Sequence, residues 1–167
     1  MNVFQLISED LKVNSHAKSK FILIFFRLSH ASLNTPPVII KLLMPFRILY
    51  RIIVDWFMAV DIPCKTKIGR RLQLYHSHAL VINEAAIIGD DCILRHCVTI
   101  GNKMTEHGDS LAPCIGNKVE FGAGAVVIGD VDVGDNAKIG ALAVVTRSVE
   151  KDAIMVGNPA RSLKSNV

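Results

Sequence analysis

Two hydrophobic periods divide the chain. From Ile62 onward, aliphatic or aromatic residues recur at steps of six: Ile62, Ile68, Leu74 and Leu80, then Ile88, Leu94 and Ile100, then Ile115, Phe121, Val127, Val133, Ile139 and Val145. Four residues after most of these markers stands a small or β-branched residue: Thr66, Cys92, Val98, Val119, Ala125, Val131, Ala137 and Ala143. Gly often follows the marker directly, as at Gly69, Gly89, Gly101, Gly116, Gly122, Gly134 and Gly140. A six-residue period suits neither an amphipathic helix nor a lone strand. It marks a parallel β-helix, in which each hexapeptide forms one short strand and one corner and three make a triangular coil. The marker points inside and stacks on its copies, and the small residue fits where the wall turns. Gly is expected to supply unusual backbone angles at the turn. Coils touch only their neighbours, so stability accumulates along the axis.

Two breaks interrupt the period. The step from Leu80 to Ile88 is eight, a two-residue insertion, and the step from Ile100 to Ile115 is fifteen. The second break places an extended loop at Lys103–Pro113, and long excursions from a rigid solenoid are commonly functional.

Residues 1–60 read as helical. Leu42, Phe46, Leu49, Ile53, Trp56 and Val60 recur at steps of three and four, which predicts one packed helix face. Pro36-Pro37 separates this helix from an earlier one around Phe21–His30. The expected organisation is a helical segment over 1–60, a β-helix over 61–150 with the loop at 103–113, and a tail over 151–167.

Half of the 167 residues are hydrophobic and a fifth are charged, a composition that suits a packed domain. The net charge of +4 comes without any run of Lys or Arg, which argues against nucleic acid but suits an anionic cofactor or acidic sugar. Cys64, Cys92, Cys97 and Cys114 form no C-x-x-C pair and read as free thiols of a reducing compartment. The apolar stretch Val38–Val60 is interrupted by Lys41, Arg47, Arg51 and Asp55, so no transmembrane span is expected. Peripheral contact with a membrane stays open, and the expected location is the cytoplasm.

His76 and His96 each occupy the third position of a hexapeptide, one coil apart. They should stand on the same face of adjacent coils, about 4.8 Å apart along the axis. An outward His pair beside a long loop is a candidate general base with a helper. His78 falls at the inward-leaning fifth position and is expected to be partly buried; His16, His30 and His107 carry no spacing signal. A zinc site of three His is the metal alternative. Trimeric β-helix carbonic anhydrases pair two His five residues apart on one coil, and no such pair occurs here. No metal is expected.

Several segments together resemble the serine acetyltransferases: Val60-Asp61-Ile62-Pro63, Ile68-Gly69, His76, Val81-Ile82-Asn83-Glu84, Val98-Thr99-Ile100-Gly101, Gly122-Ala123-Gly124-Ala125, Ala137-Lys138-Ile139-Gly140-Ala141 and Val156-Gly157-Asn158-Pro159-Ala160-Arg161. The resemblance runs from about Phe25 to Arg161. It implies a left hand for the β-helix, a homotrimer, and acetyl-CoA lying between adjacent subunits. By the same resemblance His76 matches the catalytic base, and Asp61, fifteen residues earlier, matches the residue that orients it. Gly101 and Asn102 are expected near the oxyanion. Gly122, Ala123, Gly124 and Ala141 should leave room for the pantetheine, Lys138 and Arg161 should meet phosphates, and Pro159 should pack near the adenine.

The sequence also departs from that family. Tyr75 stands where an Asp precedes the catalytic His, and Leu111-Ala112 stand where an Arg-His pair grips the amino-acid carboxylate. Tyr75, His78, Glu84, Arg95 and His96 then form the expected acceptor site, a polar rim suited to a sugar. The pattern looks like the smaller O-acetyltransferases of capsule and exopolysaccharide clusters. A serine O-acetyltransferase is the alternative, followed by a non-catalytic or metal-dependent β-helix.

Overall fold

The computed structural model describes residues 2–34, 44–45, 47–106, 108–109 and 111–163. Two helices lead. Helix α1, Val3–Val13, starts at a capping box: the Asn2 side chain accepts from the Phe4 N–H, and Gln5 reaches back to the Asn2 N–H. Helix α2, Ala17–Ala31, buries Ile22, Leu23 and Phe26 against the coil. Pro36-Pro37, expected to part the helices, lies outside the described residues.

The remainder is a left-handed parallel β-helix of about five turns. Its first wall stacks Val60–Asp61, Leu80–Ile82, Thr99–Gly101, Val126–Ile128 and Val144–Val145. The second stacks Lys67–Ile68, Ile87–Ile88, Cys114–Ile115 and Asp132–Val133. The third stacks Gln73–Tyr75, Ile93–Arg95, Glu120–Phe121, Lys138–Ile139 and Ile154–Val156, and Arg161–Ser162 closes it antiparallel. Inside, Leu74, Leu94, Phe121 and Ile139 form one column and Ile82, Ile100, Val127 and Val145 another. All eight are at most 2% exposed. Burying such a side chain contributes roughly 1.5–3 kcal/mol.

The structure moves the first insertion. Ile82, not Leu80, pairs with Ile100, while Leu80 pairs with Val60. The step of eight therefore runs from Leu74 to Ile82 and places the extra residues in the corner that carries His76. Leu80 and Ile82 are both buried, 0% and 1% exposed, because they flank outward-facing Val81 in one strand. Period alone could not choose between them. Leu80 takes the wall-turn position that Val98, Ala125 and Ala143 fill in later coils.

The glycines after the markers have a different cause from the one expected. The non-Gly residues Ala79, Cys97 and Leu142 hold the positive φ at one corner column, and Arg71, Asp91, Lys118, Asn136 and Asp152 hold it at another. Gly122 has an ordinary φ, but a Cβ there would collide with the Ala141 backbone nitrogen. Glycine is needed at this position for the close approach of the next coil.

The first coil has no coil beneath it, and the helices take that place. On the edge strand, the Leu72 N–H donates to Asp10, and the Asn14 side chain donates to the Leu72 carbonyl and accepts from the Leu74 N–H. Ser19 donates to the Leu74 carbonyl. Arg27 donates to the carbonyls of Ile68 and Gly69 and pairs with Asp10 at 2.8 Å. Buried side chains thus satisfy a sheet edge that would otherwise be open.

The helix before the coil presents a different face from the one its spacing predicts. Tyr50 and Val54 are buried, whereas Leu49 is 48% and Trp56 81% exposed. The segment Arg51–Phe57 is wound as a π-helix, with the Met58 N–H reaching the Ile53 carbonyl. The wider turn breaks the 3.6-residue register on which the prediction relied. Leu42 and Phe46 lie outside the described residues. Among the described residues, no helix is long and apolar enough to cross a membrane.

Candidate active site

The corner between the third and first walls gathers most of the candidate residues. Leu74 pairs with Leu94 and Tyr75 with Arg95, so His76 and His96 follow in adjacent coils as expected. Their rings meet edge to face with centroids 6.1 Å apart, and both side chains are exposed. His76 sits at φ 55°, in the left-handed region, and this turn projects its imidazole from the corner. His78 is exposed and is not the partly buried residue expected; Ser77, 1% exposed, turns inward and shares a hydrogen bond with Ser19. The insertion shifts the inward position away from His78.

A third histidine joins them. His16 is the N-cap residue of α2, makes no capping bond, and places its ring 5.4 Å from that of His76. Its neighbours in sequence give no periodic signal, and only the docking of α2 brings it here. Among the described residues, no group of three His, Cys, Asp or Glu is arranged to hold a metal ion.

Beside the pair, the Arg95 guanidinium lies 5.8 Å from the Tyr75 ring centre. Arg95 also donates to Glu120 at 2.7 Å, which fixes the fork over the ring. Above the histidines one column of the same corner carries small residues, with the exposed Leu142 beside it. The pairing Leu94–Phe121–Ile139–Met155, continued by two residues, stacks His96, Ala123, Ala141 and Gly157. Gly122 and Gly124 flank this column, Lys138 is exposed on the wall beside it, and Pro159 and Arg161 are exposed at its upper end.

Other candidates lie elsewhere on the chain. Asp61, Glu84, Gly101 and Asn102, with Asn83 and Arg51, line a groove of about 480 Å³ on the outer side of the first wall. Asn83 donates to Asn102 at 3.2 Å, Glu84 pairs with Lys65 at 3.4 Å, and a side chain at Gly101 would meet nothing. Burial pushes the Asp61 carboxyl up from its ordinary value; the Asp55 charge adds to this and Arg51 opposes it. Among the described residues, no hydrogen bond or ion pair joins Asp61 to His76.

The extended loop contains an antiparallel hairpin, Met104–Thr105 with Gly108–Asp109. It leaves the coil between the first and second walls, so within one chain the first wall separates it from the histidines. The expectation of a His pair beside the loop fails in the single chain, because sequence order does not show which corner each break occupies.

Residues 115–147 match the model of the bacterial transferase hexapeptide (six repeats). The putative colanic acid biosynthesis acetyltransferase WcaB of Escherichia coli K12 is 41% identical over 117 residues, which is 70% of this chain and 71% of that protein. The serine acetyltransferase of Synechococcus elongatus is 38% identical over 102 residues, 61% of this chain and 41% of its own length. Among solved structures, the Neisseria gonorrhoeae serine acetyltransferase superposes with a TM-score of 0.81 at 28% identity, over 99% of this chain and 66% of that one. Soybean serine acetyltransferase complexed with serine gives 0.74 at 30% identity, over 89% of this chain and 58% of that one. This chain therefore spans less than two thirds of those serine acetyltransferases, while it spans most of the E. coli relative. From the stacked hexapeptide coils and this similarity together, the chain belongs to the hexapeptide-repeat acetyltransferases.

Proposed function

We propose that the protein transfers an acetyl group from acetyl-CoA directly to a sugar hydroxyl of a bacterial capsular or exopolysaccharide, acting as a cytoplasmic homotrimer. The observation that carries this reading is the His76–His96 pair, which stands between the Tyr75–Arg95 stack and the foot of a small-residue column. His76 takes the hydroxyl proton as the oxygen attacks the thioester carbonyl, and the thiolate of CoA leaves. Asp61 holds the imidazole in the productive tautomer, a contact that forms in the assembled, substrate-bound enzyme. A backbone donor near Gly101 and Asn102 steadies the oxyanion. The column Ala123–Ala141–Gly157, with Gly122 and Gly124, gives the pantetheine arm a smooth channel between neighbouring subunits. Lys138 and Arg161 meet its phosphates, and Pro159 packs against the adenine.

The acceptor reading rests on the rim. Tyr75 stacks on a sugar ring, His78, Arg95 and His96 offer hydrogen bonds to its hydroxyls, and Glu84 joins them from the first-wall groove of a neighbouring subunit. The name of the E. coli relative supports a polysaccharide acceptor. Serine O-acetylation is the second reading, favoured by the likeness to the serine acetyltransferases. Against it, Leu111 and Ala112 give an amino-acid carboxylate no cationic partner, and an unpaired charge in a cleft costs several kcal/mol. The test compares release of free CoA with L-serine and with a panel of capsular oligosaccharides, with acetylated products identified by mass spectrometry. Turnover of a glycan with negligible turnover of serine is expected. Efficient turnover of serine would overturn the assignment.

A further inference from the structure

The charge of this chain is divided unevenly. Residues 1–58 hold seven Lys and Arg against three Asp and Glu, and the remainder holds twelve of each. The whole net charge of +4 therefore belongs to the helical segment. The three acids of that segment are all engaged: Asp10 with Arg27, Glu9 with Arg71, and Asp55 with Arg51. The same segment carries the densest exposed apolar face among the described residues. Met44, Ile48, Leu49 and Ile52 are 41–57% exposed, and Trp56 and Phe57 are 81% and 82% exposed. Arg47 and Arg51 stand among them.

We propose that this face docks on an anionic phospholipid bilayer. The helix lies in the headgroup zone, with Trp56 and Phe57 inserted to the acyl boundary and Arg47 and Arg51 against lipid phosphates. An amphipathic segment with aromatic residues on its apolar side and a basic excess has the chemistry of an interfacial anchor. Indole and phenyl rings favour that zone. A second copy of this chain fits the face less well, because two segments of like net charge would be brought together. The bilayer needs no membrane-crossing helix.

The placement has a consequence for the chemistry. Lys18 donates to the Met58 carbonyl at the end of this helix, at 3.2 Å. Two residues before Lys18, His16 lies against His76. A bilayer on the Trp56–Phe57 face therefore runs past the lower edge of the histidine corner, where a membrane-attached acceptor would meet the base.

The test uses the full chain and two vesicle compositions, phosphatidylcholine alone and phosphatidylcholine mixed with phosphatidylglycerol. Co-sedimentation with the mixed vesicles is expected, weakening with added salt and falling at least about tenfold in the double variant Trp56→Ser, Phe57→Ser. Both side chains are exposed, so this variant should keep the parent's circular dichroism and melting temperature. Three results overturn the proposal: no binding to the mixed vesicles, equal binding by the variant, or a variant whose oligomer falls apart. The last would assign the face to a second copy of the chain.

Discussion

Removal of the Asp10 carboxylate should unfasten the helices from the first coil. Asp10 is 0% and Arg27 3% exposed. The carboxylate accepts from Arg27 Nε at 2.8 Å and Nη2 at 3.4 Å, and from the Leu72 N–H at 3.2 Å. Asp10→Ala leaves the guanidinium with two backbone carbonyls and no countercharge. Breaking a buried pair in this way costs about 3–5 kcal/mol. The orphaned Leu72 N–H is worth about 1–3 kcal/mol by itself, but the two losses share one site and do not add. A net loss of about 4 kcal/mol is expected. Burial raises the Asp10 carboxyl above its ordinary value, more than Arg27 and the backbone N–H groups lower it. Ionisation of Asp10 therefore opposes the native state on balance, and the expense lies in breaking the pair, which strands the Arg27 charge. The double variant Asp10→Leu, Arg27→Met should recover only the part of the loss that comes from the stranded charge, because the Leu72 N–H and the Ile68 and Gly69 carbonyls stay without their side-chain partners. Urea denaturation reads the midpoint, and hydrogen exchange reads the Leu72 and Leu74 amides, which should lose protection in Asp10→Ala. A loss below about 1 kcal/mol, or a double variant as stable as the parent, would refute the claim that this pair closes the sheet edge.

His76→Ala should lower turnover by about 10²–10⁴-fold while acetyl-CoA binding, read by calorimetry, survives; a rate within a few-fold of the parent would pass the role of base to His96. Asp61→Asn should raise stability at neutral pH. Its folded carboxyl is raised, so ionisation opposes the native state as pH rises through the folded value, and the gain over the parent should vanish at acid pH where both side chains are neutral. Melting curves across that range check the sign. With a chromogenic disulfide, the exposed Cys97 and Cys114 should react in the native protein. Cys92 is buried, which pushes its thiol up to about 11, and it should react only on unfolding. Assays of free CoA with the same reagent need Cys97→Ser, Cys114→Ser protein for a clean baseline.

The coil was legible because its cause is local: a marker every sixth residue can stack only if each hexapeptide turns one corner. Where two inward residues share a strand, as Leu80 and Ile82 do, the same rule becomes ambiguous, and spacing alone puts the insertion one corner late. The same ambiguity puts His78 at an inward position in the spacing, whereas it is exposed. The Trp56 face was missed because a π-helical turn changes the residues that share a side. His16 left no trace in the spacing, since its position depends on Asp10, Asn14, Ser19 and Arg27 seating α1 and α2 under the coil. The His76–His96 juxtaposition followed directly from counting hexapeptides. The position of Asp61 on the first wall, and of the loop beyond it, needed the three-dimensional corners.

The column that rises from His76 through His96, Ala123 and Ala141 to Gly157 acts as a ruler. Four steps of about 4.8 Å set the distance from His76 to the tail at about 19 Å, whatever side chains occupy the rungs. A gauge built from backbone repeats can be changed only in whole units. Inserting one further coil between His96 and Ala123 would leave both ends chemically intact while moving them apart by a single rung. A ligand arm of fixed length would then span the histidines or the tail, but not both at once. The count of coils is thus a heritable measure of reach, and it can be altered by duplicating a short stretch of sequence without redesigning either end.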